Sequence, residues 1–100
     1  MKTLYTTAAT ATGGRNGKVT SENGVLNIEV KMPKALGGLN DDFLNPEMLF
    51  AGGYAACFDS ALNMIIKMEK IKTGMTSVTA NVSIGQTETG GFGLAAELHA

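Results

Sequence analysis

The sequence holds a single thiol, the side chain best suited by type to nucleophilic chemistry: Cys57. A thiol attacks or ligates as the thiolate, which needs an electropositive setting. A lone cysteine is more often a small core hydrophobe, since free Cys is among the most buried residue types. It makes no internal disulfide and supplies no Cys-based zinc site. Two charged residues hold marked positions. Arg15 lies in the glycine-flanked turn Gly13-Gly14-Arg15-Asn16-Gly17, and Glu47 follows Asn45-Pro46. Taken singly, an arginine in such a turn is a solvated cation. A glutamate in a first helical turn simply complements the helix dipole. The only histidine, His99, falls on a strand-like run at the end of the sequence, which weakens a Cys–His hydrolase reading. Met64, Met68 and Met75 suit core filling better than a soft-metal site. On spacing alone, Cys57 is either a reactive thiolate or an inert core residue.

The elements that would position these residues can be read from patterning. Leu4 to Thr12 is rich in Thr and small residues and reads as a strand. Asn16-Gly17 is a hairpin dipeptide, and Lys18 to Ser21 begins the return strand. Glu22-Asn23-Gly24 makes a second turn. Val25 to Met32 alternates at period two, with Leu26, Ile28, Val30 and Met32 facing in, and Pro33 ends it. Gly37 to Asp42 is a loop. Asn45 is a suitable N-cap, and Pro46 fits the first helical position. The helix runs to about Lys70, with Phe50, Tyr54, Phe58, Leu62 and Ile66 as an apolar stripe and Cys57 beside it. Gly52-Gly53 predicts a kink or a joint between two helices. Gly74 is the expected stop. Val78, Ala80, Val82 and Ile84 alternate with polar residues as a strand. A turn at Gln86 to Gly91 leads into a returning strand from Phe92. Strands, helix, strands is an α+β order with antiparallel sheet.

Composition narrows the function classes. One hundred residues with 44% hydrophobic and 17% charged content make at most one small globular domain. Net charge is −1, and no Lys/Arg stripe is interleaved with aromatics, which argues against nucleic acid. No run of consecutive apolar residues reaches membrane-spanning length, and Met1 to Ala8 lacks a signal-peptide core. The cytoplasm is the expected compartment. Asn81-Val82-Ser83 matches the glycosylation pattern, read here as chance.

Three motifs then align in one order. Thr10-Ala11-Thr12-Gly13-Gly14-Arg15-Asn16-Gly17 comes first, and Asn45-Pro46-Glu47-Met48-Leu49-Phe50-Ala51 second. Gly53-Tyr54-Ala55-Ala56-Cys57-Phe58 is the third. With Gly91-Phe92-Gly93-Leu94, they closely resemble the organic hydroperoxide resistance (Ohr) branch of the OsmC/Ohr family. Gly52 stands where many members carry Ala. The resemblance implies antiparallel sheets around a central helix that bears the cysteine. It implies a thiol-dependent peroxidase that reduces organic hydroperoxides to alcohols. Cys57 matches the peroxidatic nucleophile, Arg15 the arginine that stabilises its thiolate, and Glu47 the carboxylate that holds that arginine. General chemistry agrees, since a guanidinium favours a nearby thiolate. Phe43, Met48, Phe50 and Tyr54 would wall an apolar substrate pocket.

The resemblance also implies a resolving cysteine in a later Cys-Pro motif, which these 100 residues do not contain. Residues 1–100 are therefore expected to be the N-terminal portion of one domain. No metal or bound cofactor is expected; an external dithiol of the lipoyl type would be the reductant. A homodimer is expected too. Glu47 and Cys57 are ten residues apart, ~15 Å along a straight helix. Either a break at Gly52-Gly53 folds Glu47 back, or Arg15 and Glu47 come from the neighbouring chain. The competing reading is a binding or structural module of the same fold with Cys57 buried and inert.

Overall fold

Small and threonine-rich residues build a three-stranded antiparallel meander in the computed structural model, which describes Met1–Ala100. Its strands are β1 (Ala9–Thr12), β2 (Lys18–Ser21) and β3 (Asn27–Glu29). The register pairs Thr12 with Lys18 and Ala9 with Ser21, then Val19 with Ile28. The meander belongs to one of two units, Met1–Pro46 and Glu47–Ala100. The expected first strand is halved. Its partner β2 has only four residues, and Glu22 N–H to the Ala8 carbonyl (2.8 Å) closes the ladder. Leu4 and Tyr5 lie beyond that point and are exposed.

Asn16-Gly17 does not form a two-residue primed hairpin turn, because Asn16 is not left-handed. Gly13 and Gly14 take the positive φ values, 83° and 65°, and Gly14–Asn16 is a 3-10 turn. Period two in the third strand holds: Leu26 and Ile28 are half-buried, Val30 is buried, and Val25, Asn27 and Glu29 are exposed. Past Glu29, Val30 N–H still reaches the Gly17 carbonyl (2.9 Å) where β2 begins, and on the other edge Val30 bridges Leu44 in parallel, with Lys31 N–H to the Leu44 carbonyl at 2.8 Å. Val30, 1% exposed, is the one core side chain.

In the second unit, helix α1 spans Pro46–Met68 and begins where Asn45-Pro46 predicts. At 1.5 Å per residue it is roughly 35 Å long. It passes through Gly52-Gly53 as one helix, so the expected joint, and with it a fresh helix N-terminus near Cys57, is absent. The penalty for two glycines, up to ~1 kcal/mol each, is too small to interrupt a helix this long. The stop is not Gly74. Lys70 adopts φ 53°, and Ile71 N–H bonds the Ile66 carbonyl (3.0 Å) while Lys70 N–H bonds the Lys67 carbonyl (3.2 Å). That is a Schellman ending with lysine in the usual glycine position.

The half-buried stripe is rotated from the expected one. It comprises Ala51, Ala55, Asp59, Leu62 and Ile66, whereas Phe50, Tyr54 and Phe58 remain exposed at 41–45%. A polar clasp fixes the following segment to the helix. Thr76 Oγ1 donates to Asp59 Oδ1, and Asn63 Nδ2 donates to both Thr76 Oγ1 and the Asp59 carbonyl, each at 2.7 Å. Strands β4 (Thr79–Gln86) and β5 (Phe92–His99) then form an antiparallel hairpin in eight-residue register. Ala80, Val82 and Ile84 share its half-buried face, as the alternation predicts. His99 pairs with Glu97 at 2.6 Å.

Along the helix the surface is apolar: α1 is long and apolar enough to cross a membrane by length and composition, with a mean hydropathy of 1.3 over 18 residues. The expectation of no such window counted uninterrupted apolar side chains and overlooked that Ala raises the average while Gly and Ser lower it only slightly.

Candidate active site

Cys57 sits in the middle of α1 and is free and exposed. Helical spacing explains its surroundings. Leu49, Gly53 and Cys57 are four apart and form one row; Phe50, Tyr54 and Phe58 form the adjacent row. Together these six line a shallow groove of about 550 Å³ that is almost wholly apolar. The Phe50 and Tyr54 rings lie 5.7 Å apart at 44°, a tilted pair.

Gly53 has a specific part in this geometry. Helical side chains lean toward the N-terminus, so Cys57 lies over the turn that contains residue 53. Position 53 lines the same groove one turn before Cys57; with glycine there the groove stays open, and nothing lies within 4 Å of where a Cβ would be. Gly53, Leu49 and Phe58 are groove residues beyond those named from the sequence. The four-residue spacing back from Cys57 was the signal that would have found Gly53 and Leu49.

The other candidate residues are spread over both units. Glu47 is half-buried in the first turn of α1, and Met48, 46% exposed, is not among the groove-lining residues. Arg15 is half-buried in the 3-10 turn of the first unit, whereas Glu47 and Cys57 belong to the second. Phe43 lines a separate hollow of about 500 Å³ in the first unit, with Asn16, Lys31 and Leu39. Lys31 Nζ stands 5.9 Å from the Phe43 ring centre, a cation–π distance. No cluster of three His, Cys, Asp or Glu side chains is arranged to hold a metal ion.

A free thiol in an open apolar groove is accessible to a small electrophile carrying an apolar substituent. Sequence comparison gives this arrangement a context. No family model matches the chain. An organic hydroperoxide resistance protein of Xanthomonas axonopodis pv. citri is 47% identical over 98 residues, covering 97% of this chain and 68% of that relative. A crystal structure of an organic hydroperoxide resistance protein from Elizabethkingia anophelis, with thiocyanate bound, superposes with a TM-score of 0.93 at 73% identity. It covers 99% of this chain and 71% of that one. A putative organic hydroperoxide resistance protein from Vibrio cholerae, with captopril in one active site, gives 0.91 at 44% identity. That match covers 98% of this chain and 67% of the other. Coverage this complete takes in α1, so the helix that passes for a membrane span is an element of the shared fold.

Proposed function

The chain belongs to the organic hydroperoxide resistance (Ohr) branch of the OsmC/Ohr family and has its α+β fold, and on that premise we propose that it is a cysteine-based peroxidase for organic hydroperoxides. The observation that carries the reading is the exposed, free Cys57 in an apolar groove. Exposure of Cys57 favours this reading over the inert-module alternative, in which the thiol is buried.

In the proposed reaction the Cys57 thiolate attacks the distal oxygen of ROOH. An S–O bond forms as the O–O bond breaks, and RO⁻ leaves and takes up a proton to become the alcohol. The sulfur loses two electrons and becomes a sulfenic acid, while the peroxide gains two. Arg15 stabilises the thiolate and orients the peroxide with its planar fork of donors. Glu47 holds the guanidinium. Phe50 and Tyr54, with Phe58 and Leu49, receive the apolar R group; Phe43 and Met48 are proposed to extend that surface. An external dithiol, of the lipoyl type in this reading, then returns the sulfenic acid to the thiol and releases water, ending as a disulfide.

The working unit in this proposal is a cytoplasmic homodimer. The exposed apolar row of Phe50, Tyr54 and Phe58 on α1 supports an assembly that covers it. So does the unbroken helix, which keeps Glu47 and Cys57 ~15 Å apart along its axis and favours Arg15 and Glu47 reaching Cys57 from the neighbouring chain. The test of the peroxidase reading is Cys57→Ser. Loss of organic hydroperoxide consumption is expected, and wild-type consumption in that variant would end the assignment.

A further inference from the structure

We infer that Asn16 is the positioning residue of the Arg15 turn, its side-chain oxygen setting where the guanidinium is presented. The inference rests on the role given to Arg15 above and adds a residue to it.

Few groups are available to anchor this turn. Five residues join β1 to β2, and Gly13, Gly14 and Gly17 have no side chain with which to hold anything. Gly13, which caps the 3-10 turn, makes no side-chain cap bond. Gly13 and Gly14 also sit at positive φ, 83° and 65°, conformations that leave the N-terminal half of the turn without an anchoring side chain. Apart from Arg15 itself, Asn16 has the only side chain in the turn. Its Oδ1 accepts the Met32 N–H at 3.0 Å, sixteen residues away.

A second bond runs beside the first. The Gly17 carbonyl accepts the Val30 N–H at 2.9 Å. Val30 and Met32 are alternate residues of one extended stretch, so both N–H groups point the same way. The C-terminal half of the turn is thus laid along that stretch at two points, one backbone and one side chain. Gly17 closes the turn itself, because a Cβ there would fall 1.8 Å from the Thr12 carbonyl oxygen. The backbone bond can arise from sheet pairing alone. The Asn16 bond cannot, and it holds the residue next to Arg15. What position 16 requires is an acceptor oxygen at this reach, which Asp supplies and Ala does not.

The experiment measures two rates on the full chain: oxidation of Cys57 by cumene hydroperoxide, with the sulfenic acid trapped by dimedone, and alkylation by iodoacetamide. Arg15→Ala, Asn16→Ala, Asn16→Asp and the double Arg15→Ala/Asn16→Ala variant are compared with wild type. Ser21→Ala is the control, since Ser21 Oγ holds the Leu26 N–H (2.9 Å) in the neighbouring turn. Asn16→Ala is expected to oxidise several-fold more slowly, and Asn16→Asp to recover most of that rate. The recovery would not come from charge, because an added carboxylate disfavours a thiolate. The double variant is expected to match Arg15→Ala, with Ser21→Ala at the wild-type rate. A slow Arg15→Ala beside a wild-type Asn16→Ala overturns the inference and leaves the role of Arg15 intact. A wild-type Arg15→Ala overturns both. Further loss in the double variant, or equal loss in Ser21→Ala, would mean that Asn16 does not act through Arg15.

Discussion

Guanidinium and ammonium carry the same charge, so substitutions at Arg15 separate charge from geometry. Arg15→Ala is expected to slow both alkylation of Cys57 at neutral pH and its oxidation by an organic hydroperoxide, each about tenfold or more. One factor of ten corresponds to ~1.4 kcal/mol, within the range of a charge-assisted contact. Arg15→Lys should recover much of the alkylation, which needs only positive charge, and little of the oxidation, which needs the fork. Wild-type rates for both probes in Arg15→Ala would remove this residue from the mechanism. Cys57 was legible in the sequence because a single thiol has no competitor. Phe50 and Tyr54 were legible because helical spacing puts them beside it. Gly53 was not, since a residue that acts by lacking a side chain adds nothing to an apolar pattern. Physics alone gave no reason to join Arg15 and Glu47 to Cys57; the family resemblance supplied it.

Adjacent glycines in α1 illustrate how the element serves the thiol. A Cβ at Gly52 would meet open space and sits at ordinary helical dihedrals. Gly52→Ala should therefore stabilise the chain by up to ~1 kcal/mol and leave the oxidation rate of Cys57 unchanged. Gly53→Leu should fill part of the groove beside Cys57 and slow oxidation by an organic hydroperoxide while the helix is retained. Urea denaturation and dimedone trapping on both variants decide this, and unimpaired oxidation in Gly53→Leu would contradict the open-gap reading. Element types and order were readable from periodicity: the β3 alternation, the Asn45-Pro46 start and the β4 phase all recur in the fold. Boundaries were less so. β1 is shortened by the length of its partner strand, and α1 ends on Lys70 because a Schellman pair of hydrogen bonds outweighs a lysine's reluctance to turn left-handed. The stripe is rotated as well. Ala51 and Ala55 are half-buried while the larger Phe50 and Tyr54 are exposed, an order that a hydrophobicity pattern does not record.

For the whole molecule, the proposed working unit is a homodimer. Light scattering is expected to give a dimer mass, with a monomer at all working concentrations as the contrary result. A mixed dimer of Cys57→Ser and Arg15→Ala chains tests how the site is shared. If Arg15 serves the neighbouring chain's Cys57, one arrangement regains a complete set and peroxide reactivity returns; if each chain is self-sufficient, none returns. These 100 residues hold one thiol, so a single addition of oxygen exhausts the chain unless a dithiol is supplied. Excess peroxide is expected to drive Cys57 on to the sulfinic acid. That stoichiometry gives the most direct test of cysteine-based peroxide reduction. Chain and organic hydroperoxide are mixed without reductant, the alcohol is counted, and Cys57 is followed by mass spectrometry with dimedone present. The predicted result is one alcohol released for each Cys57 converted to its dimedone adduct. Alcohol formed while the Cys57 thiol stays intact, or peroxide left unconsumed beside a free thiol, would contradict it.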